Sequence, residues 1–243
     1  MKQRMSAQGW IRAAVAALML FGPAPVMAQV FTPPPGCEGF VSVQSRGCKV
    51  SHHYICSGDP AGHQWRVDFG PFGPYFVSRI DAEAQWVYSL DLATGVAQEL
   101  APGATDPASF SALLDSGTDT YDFSQMASDG SRTRVRGFDT LTGRKVVIDG
   151  VELEETSFEF RETTAEGGFL NAARGKEYIH RAWRLFFSGP SEWDGGDGFA
   201  AYDRSPVRFD MPGDRGFMSV LPDYDCDEQL AALPVVPARG VAP

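Results

Sequence analysis

The feature that most constrains this chain is its punctuation. From Gly58 onward, turn signals recur at short intervals between β-branched and aromatic runs: Gly58-Asp59-Pro60, Gly70-Pro71, Gly73-Pro74, Thr94-Gly95, Asp129-Gly130, Thr142-Gly143, Asp149-Gly150, Gly167-Gly168 and Gly195-Gly196. Short connections join only antiparallel neighbours, because a parallel pair needs a long crossover. The sharpest signal is Val146-Val147-Ile148, Asp149-Gly150, Val151-Glu152-Leu153. Asp-Gly is favoured in the two-residue hairpin whose central residues both need positive φ. Strands are therefore expected at 40–44, 49–56, 64–69, 75–80, 84–91, 96–100, 119–125, 131–138, 144–149, 152–162, 169–173, 176–187, 199–203, 206–211 and 216–220. In 157–161, Phe158 and Phe160 point one way and Glu159 and Arg161 the other, as in a sheet wetted on one face.

The expected fold class is mainly β: a single antiparallel meander forming a half-barrel, a barrel or a sandwich. One short helix is expected near 107–115. Asp106 reads as its cap, Pro107 sits in the first turn, Phe110, Leu113 and Leu114 recur at helical spacing, and Gly117 stops it. In 176–187, Tyr178, Ala182 and Leu185 fit a helix, whereas Ile179, Trp183, Leu185 and Phe187 fit one face of a strand. Aromatic richness favours the strand.

Residues 1–28 read as a secretory signal peptide. Lys2, Arg4 and Arg12 form a basic start, Ala13 to Phe21 an apolar stretch, and Val26-Met27-Ala28 a small-residue cleavage site that predicts cutting after Ala28. The apolar stretch falls well short of the roughly 20 residues that span a bilayer. No cysteine sits at the cleavage point to carry a lipid, and no second apolar run of spanning length follows, so the processed chain is not expected to span a membrane. The remainder divides into a Pro-rich N-terminal tail (29–36), a single β-rich domain (37–233) and a flexible C-terminal tail (234–243). A periplasmic or secreted location follows.

Charge narrows the partners. The sequence holds 21 Lys and Arg against 31 Asp and Glu, a net charge of -10 and a pI near 4.8. A nucleic-acid binder that tracks phosphates needs a basic stripe to displace condensed counterions, so that class is excluded. Cleavage would remove three cations and leave the rest more acidic. Hydrophobic residues at 43% and aromatics at 12% support a packed core and argue against disorder. Arg132, Arg134 and Arg136 alternate and form a ridge on one strand face, expected to pair with Glu152, Glu154 or Glu159 on neighbouring strands.

All four cysteines, Cys37, Cys48, Cys56 and Cys226, follow the signal peptide. An even number in an oxidising compartment favours two disulfides. If 40–43 and 50–56 pair across the Ser45-Arg46-Gly47 turn, Cys37 falls opposite residue 55 or 56. Cys37–Cys56 is then the favoured bridge and Cys48–Cys226 the other. A zinc site on Cys48, His52 and Cys56 is the rival reading. Four-residue spacing stretches those ligands about 12 Å along a helix, too far for one tetrahedral ion, and on a strand His52 and His53 face opposite sides. No metal and no cofactor are expected.

Chemistry leaves few marks. There is no G-x-S-x-G, S-x-x-K, H-E-x-x-H or phosphate-cradling glycine motif. Two acidic stretches, Asp223-Tyr224-Asp225-Cys226-Asp227-Glu228 and Trp193-Asp194-Gly195-Gly196-Asp197-Gly198, have oxygen ligands that suit calcium. They lack the ligand count and spacing of a calcium loop and read as a solvated terminus and a hairpin tip. The runs 79–87 and 178–189, with Tyr224-Asp225-Cys226-Asp227, resemble those of an uncharacterised family of exported alphaproteobacterial proteins. That resemblance covers most of the processed chain and implies no activity. In architecture alone, a meander with one short helix is similar to the cup of periplasmic lipoprotein carriers.

The 17 Phe, 5 Trp and 7 Tyr are a heavy aromatic load for a β domain, and suit a barrel interior that fills or leaves a pocket. The expected function is that of an exported, soluble, non-catalytic β domain binding an apolar small molecule or a protein of the cell envelope. The alternatives are an envelope-polymer hydrolase using paired carboxylates, with Asp194, Asp197 and the acids around Cys226 as candidates, and a structural or assembly protein.

Overall fold

The computed structural model describes residues 29–227. The expected signal peptide and C-terminal tail lie outside them. Thirteen strands form one antiparallel sheet: β1 (Cys37–Ser45), β2 (Lys49–Cys56), β3 (Gln64–Gly70), β4 (Gly73–Ile80), β5 (Trp86–Asp91), β6 (Ala97–Leu100), β7 (Thr118–Ala127), β8 (Arg132–Ile148), β9 (Val151–Thr164), β10 (Phe169–His180), β11 (Leu185–Asp194), β12 (Ala200–Asp203) and β13 (Pro206–Asp210), with α1 (Phe110–Ser116) between β6 and β7. Each strand from β1 to β12 pairs with its sequence neighbours, and β13 returns to pair with β1.

The two edges of the sheet, β12 and β13, are joined by only Arg204 and Ser205. A link that short spans at most about 11 Å between Asp203 and Pro206, so the sheet curls until its edges nearly meet. It stops short of a closed barrel, leaving a cup. Across its interior, Val41 and Val43 of β1 pack against Leu153, Leu185 and Phe187, with Phe209 of β13 beside them, all buried. His53 of β2 meets Phe187 of β11 edge-on at 6.0 Å.

Local sequence explains several elements. Ile148 pairs with Val151 across Asp149 and Gly150, whose φ of 49° and 79° are the two left-handed values this hairpin requires. Gly117 stops α1 at φ 82° and donates its N–H to the Leu113 carbonyl. The cap is Ser109, not Asp106: the Ser109 hydroxyl accepts the Ala112 N–H, while the Asp106 carboxylate accepts the Thr120 hydroxyl. Phe110 and Leu113 are fully buried against Ile179 of β10, with Ala84, Leu141 and Phe186 around them, so the helix plugs one end of the cup.

Five expected strands are redrawn, 169–173 running on into the first part of 176–187 as β10. Segments 131–138 and 144–149 form the single strand β8, because Thr142-Gly143 makes a bulge between Leu141 and Lys145 and not a turn. The span 176–187 breaks into β10 and β11 at Arg181-Ala182-Trp183-Arg184, with Arg184 at φ 53°. Contacts from distant residues fix that turn. The Arg184 guanidinium donates to the Ala82 carbonyl and the Ser111 hydroxyl and pairs with Glu83, while His180 stacks on Trp183 at 3.7 Å. Segment 216–220 contributes one bridge, Ser219 to Val30.

That bridge belongs to a second small core on the outside of the cup. Val50 and Tyr54 of β2, with Val67 and Phe69 of β3, point outward and are buried beneath Phe31 and Val220. The Pro-rich N-terminal tail expected at 29–36 and the chain after β13 thus form a strap. Cys37–Cys56 closes the β1–β2 hairpin at a directly opposed pair, and Cys48–Cys226 pins the end of the strap. The Gln44 side chain donates to the Leu221 carbonyl and accepts the Asp223 N–H, and Cys48 N–H donates to the Tyr224 carbonyl. Two arginines of the ridge, Arg134 and Arg136, are paired, though to another strand than expected. Arg134 grips Asp122 of β7 through two 2.6 Å bonds and Arg136 adds a third at 2.9 Å.

Candidate functional site: a polar-ended aromatic cavity

Strand register decides what fills the cup. Asp119, Tyr121, Phe123 and Gln125 of β7 lie opposite Asp139, Gly137, Val135 and Thr133 of β8, and Asp139, Gly137 and Val135 lie opposite Phe158, Phe160 and Glu162 of β9. All of these share the concave face. Gly137 matters because a Cβ there would come 2.7 Å from the Tyr121 ring and hydroxyl. Its absence lets the tyrosine lie flat over the strand. The concave side chains leave a cavity of about 800 Å³, bounded by Phe76, Phe110, Tyr121, Phe158, Phe160 and Trp193 among others. Small-molecule sites typically occupy roughly 300–1,000 Å³ and combine aromatic walls with a few placed polar groups.

One wall is acidic. Asp119 and Asp139 face each other directly across β7 and β8. Asp119 keeps a partner, the Ser109 N–H at 2.8 Å. Burial, reinforced by the Asp119 charge, pushes Asp139 up to about 7. Glu177 on β10 is also held well above the usual carboxylate range, first by burial and then by Asp139, with Arg66 pulling the other way. Burial raises the Tyr121 hydroxyl too. Among the described residues, no hydrogen bond reaches the Asp139 or Glu177 carboxyl or the Tyr121 hydroxyl. These three groups face the cavity as free hydrogen-bonding sites.

The other polar end is basic. Lys49 and His53 of β2 alternate inward with Ser51, and Gln64, Arg66 and Asp68 of β3 lie in register beside them. Asp68 receives the Ser51 hydroxyl at 2.7 Å, Arg66 Nε at 3.2 Å and Lys49 Nζ at 3.9 Å. Burial opposes its charge, but Arg66, Lys49 and Ser51 together hold it below the usual range. Burial lowers the Lys49 ammonium to about 8 and His53 to about 3, so His53 is neutral. Arg204, in the link between the sheet edges, lines the same end.

The structure places the sequence-derived candidates elsewhere. The cysteines are consumed in disulfides and, among the described residues, no group of three or more metal-ligating side chains comes together. Asp194 closes the β11–β12 tip by accepting the Gly196 and Gly198 N–H groups. Of the acids around Cys226, Asp223 pairs with Arg208 and Asp225 with Arg46, Asp227 belongs to the end of the strap, and Glu228 lies outside the described residues. None of these acids lines the cavity. The charged residues that do, among them Lys49, Arg66, Asp119, Asp139 and Glu177, form no motif in the sequence. One signal was readable: β2 and β3 alternate polar with apolar, and the polar face reads as solvent-facing. Here the apolar face is the outside, sealed by the strap, and the polar face lines the cavity. No family model, curated protein or solved structure matches the chain.

Proposed function

We propose that this protein is an exported binding protein that holds an apolar or amphipathic small molecule inside its cup. The observation that carries the reading is the cavity of about 800 Å³ with its aromatic walls. A concave, largely aromatic space of that size is what a small molecule needs to bury most of its surface. The two disulfides suit an oxidising, extracytoplasmic environment, in keeping with a periplasmic or secreted product. The test is to purify the protein from its own host without detergent, extract it with organic solvent and analyse the extract by mass spectrometry. The stripped protein is then titrated with the neutral probe N-phenylnaphthylamine. A bound lipid-like molecule and saturable probe fluorescence support the reading; an empty extract together with no probe binding overturns it.

A second reading, hydrolysis by paired carboxylates, is favoured by one observation: Asp119 opposite Asp139, one engaged by a backbone N–H and the other pushed up to about 7, is the asymmetry an acid–base pair requires. Release of reducing ends from envelope polysaccharide by the parent protein, absent in Asp139→Asn, would support it. No release by the parent protein removes it.

A further inference from the structure

The two polar ends of the cavity differ in what they lack. A buried carboxyl can escape its desolvation penalty by keeping its proton, and burial pushes both Asp139 and Glu177 in that direction. Arginine has no such escape, because a guanidinium does not deprotonate in proteins. At the basic end, Lys49, Arg66 and Arg204 bring three cations, while Asp68 is the one carboxylate held ionised among them. Lys49 is 12% exposed at its side chain, and its one ionic contact with a described residue is the 3.9 Å approach to Asp68. Arg66 Nε is buried without a well-formed hydrogen bond, although Asp68 lies 3.2 Å away. Arg204 forms no ion pair with a described residue and lines, with Lys49, Ser51, His53, Arg66 and Ser188, a recess off the main cavity. Neutral His53 and the two serine hydroxyls add hydrogen-bonding groups without adding charge.

We infer that this end of the cavity seats the anionic headgroup of the ligand, a carboxylate or a phosphate ester whose apolar body lies among the aromatic side chains. The inference rests on the ligand-binding reading above and names its chemical class. An anion there supplies the acceptors that Lys49 and Arg66 lack and offsets the excess of positive charge. Burial pushes both acids of the opposite wall towards the protonated form, in which a carboxyl donates to an oxygen-bearing ligand and attracts no cation.

The test is isothermal titration of the stripped, disulfide-bonded protein at pH 6 with four twelve-carbon compounds: dodecanoate, dodecyl phosphate, dodecanol and dodecylammonium. The two anions are expected to bind about tenfold or more tightly than dodecanol, as charge-assisted hydrogen bonds at a desolvated site provide. The better anion identifies the headgroup. Lys49→Met and Arg204→Gln are each expected to weaken the anions about fivefold or more and leave dodecanol unchanged. Arg204 is exposed, so that variant remains informative if Lys49→Met fails to fold. Equal binding of dodecanol and the anions overturns the headgroup assignment while leaving the apolar site standing, and so does tighter binding of dodecylammonium. Failure of all four overturns the binding reading itself.

Discussion

Asp139 offers the most direct probe of the cavity, because its burial makes the stability of the empty protein depend on pH. Its carboxyl lies near 3.8 in an unfolded chain and at about 7 in the folded one. A group raised in the folded state contributes stability that is fully present below the lower value and is lost as pH climbs through the higher one. At about 1.4 kcal/mol per pH unit, the full loss is about 4.5 kcal/mol, which sets the upper bound for a carboxyl lining a cavity that admits water. Asp139→Asn removes the ionisation while nearly keeping the shape of the side chain. The variant should match its parent at pH 4 and exceed it progressively up to pH 8, by about 2–4 kcal/mol. Urea unfolding of both proteins at half-unit steps from pH 4 to 8.5 measures the difference directly. Comparing the pair also cancels the buried histidines His52 and His53, which lie near 4 and 3 and act in the opposite sense, adding stability as pH rises towards 6.5. A variant no more stable than its parent at pH 8 would refute the claim that Asp139 is a desolvated, uncompensated acid.

The remaining predictions concern the scaffold. Loss of Cys48–Cys226, which closes a separation of 178 residues, should cost about 5 kcal/mol by chain entropy, against about 3 for Cys37–Cys56 with its 19; denaturant unfolding of the two serine double variants checks the order. Leu113→Ala removes a fully buried side chain from the helix plug and should cost about 2–5 kcal/mol, with a matching drop in melting temperature. Gly137→Ala forces its methyl against the Glu159 carbonyl and the Tyr121 ring, which should cost about 1–3 kcal/mol and alter the near-UV signal of the displaced tyrosine. Ser109→Ala should cost about 1 kcal/mol through the lost cap, visible as a small shift in the urea midpoint.

What the sequence disclosed was local. Asp149-Gly150, Gly117 and the Cys37–Cys56 hairpin each depend on backbone demands that a few adjacent residues meet by themselves. The turn at 181–184 has neither glycine nor proline. It exists because Arg184 reaches Ala82 and Ser111, and periodicity cannot report partners that far away. The same limit hid the cavity. Lys49 and Arg66 look like ordinary outward residues until the curl of the sheet and the strap over Val50 and Phe69 reverse inside and outside. The register that brings Asp119 level with Asp139 runs unbroken from the short β7–β8 turn, but no local pattern tells that this face of the hairpin is the concave one.

The bond between Cys48 and Cys226 also fixes a sequence of events. In a chain delivered N-terminus first, the β1–β2 hairpin and its Cys37–Cys56 bridge are available within the first few dozen residues to emerge. β1, however, waits for its second neighbour until β13 appears, and the outer face of β2 and β3 stays uncovered until the strap arrives. Cys48 therefore spends almost the whole of delivery as a lone thiol beside an exposed apolar surface. Completion of the fold is signalled by nearly the last described residue, and a copy truncated ahead of Cys226 carries both an unsealed flank and a Cys48 without its disulfide partner.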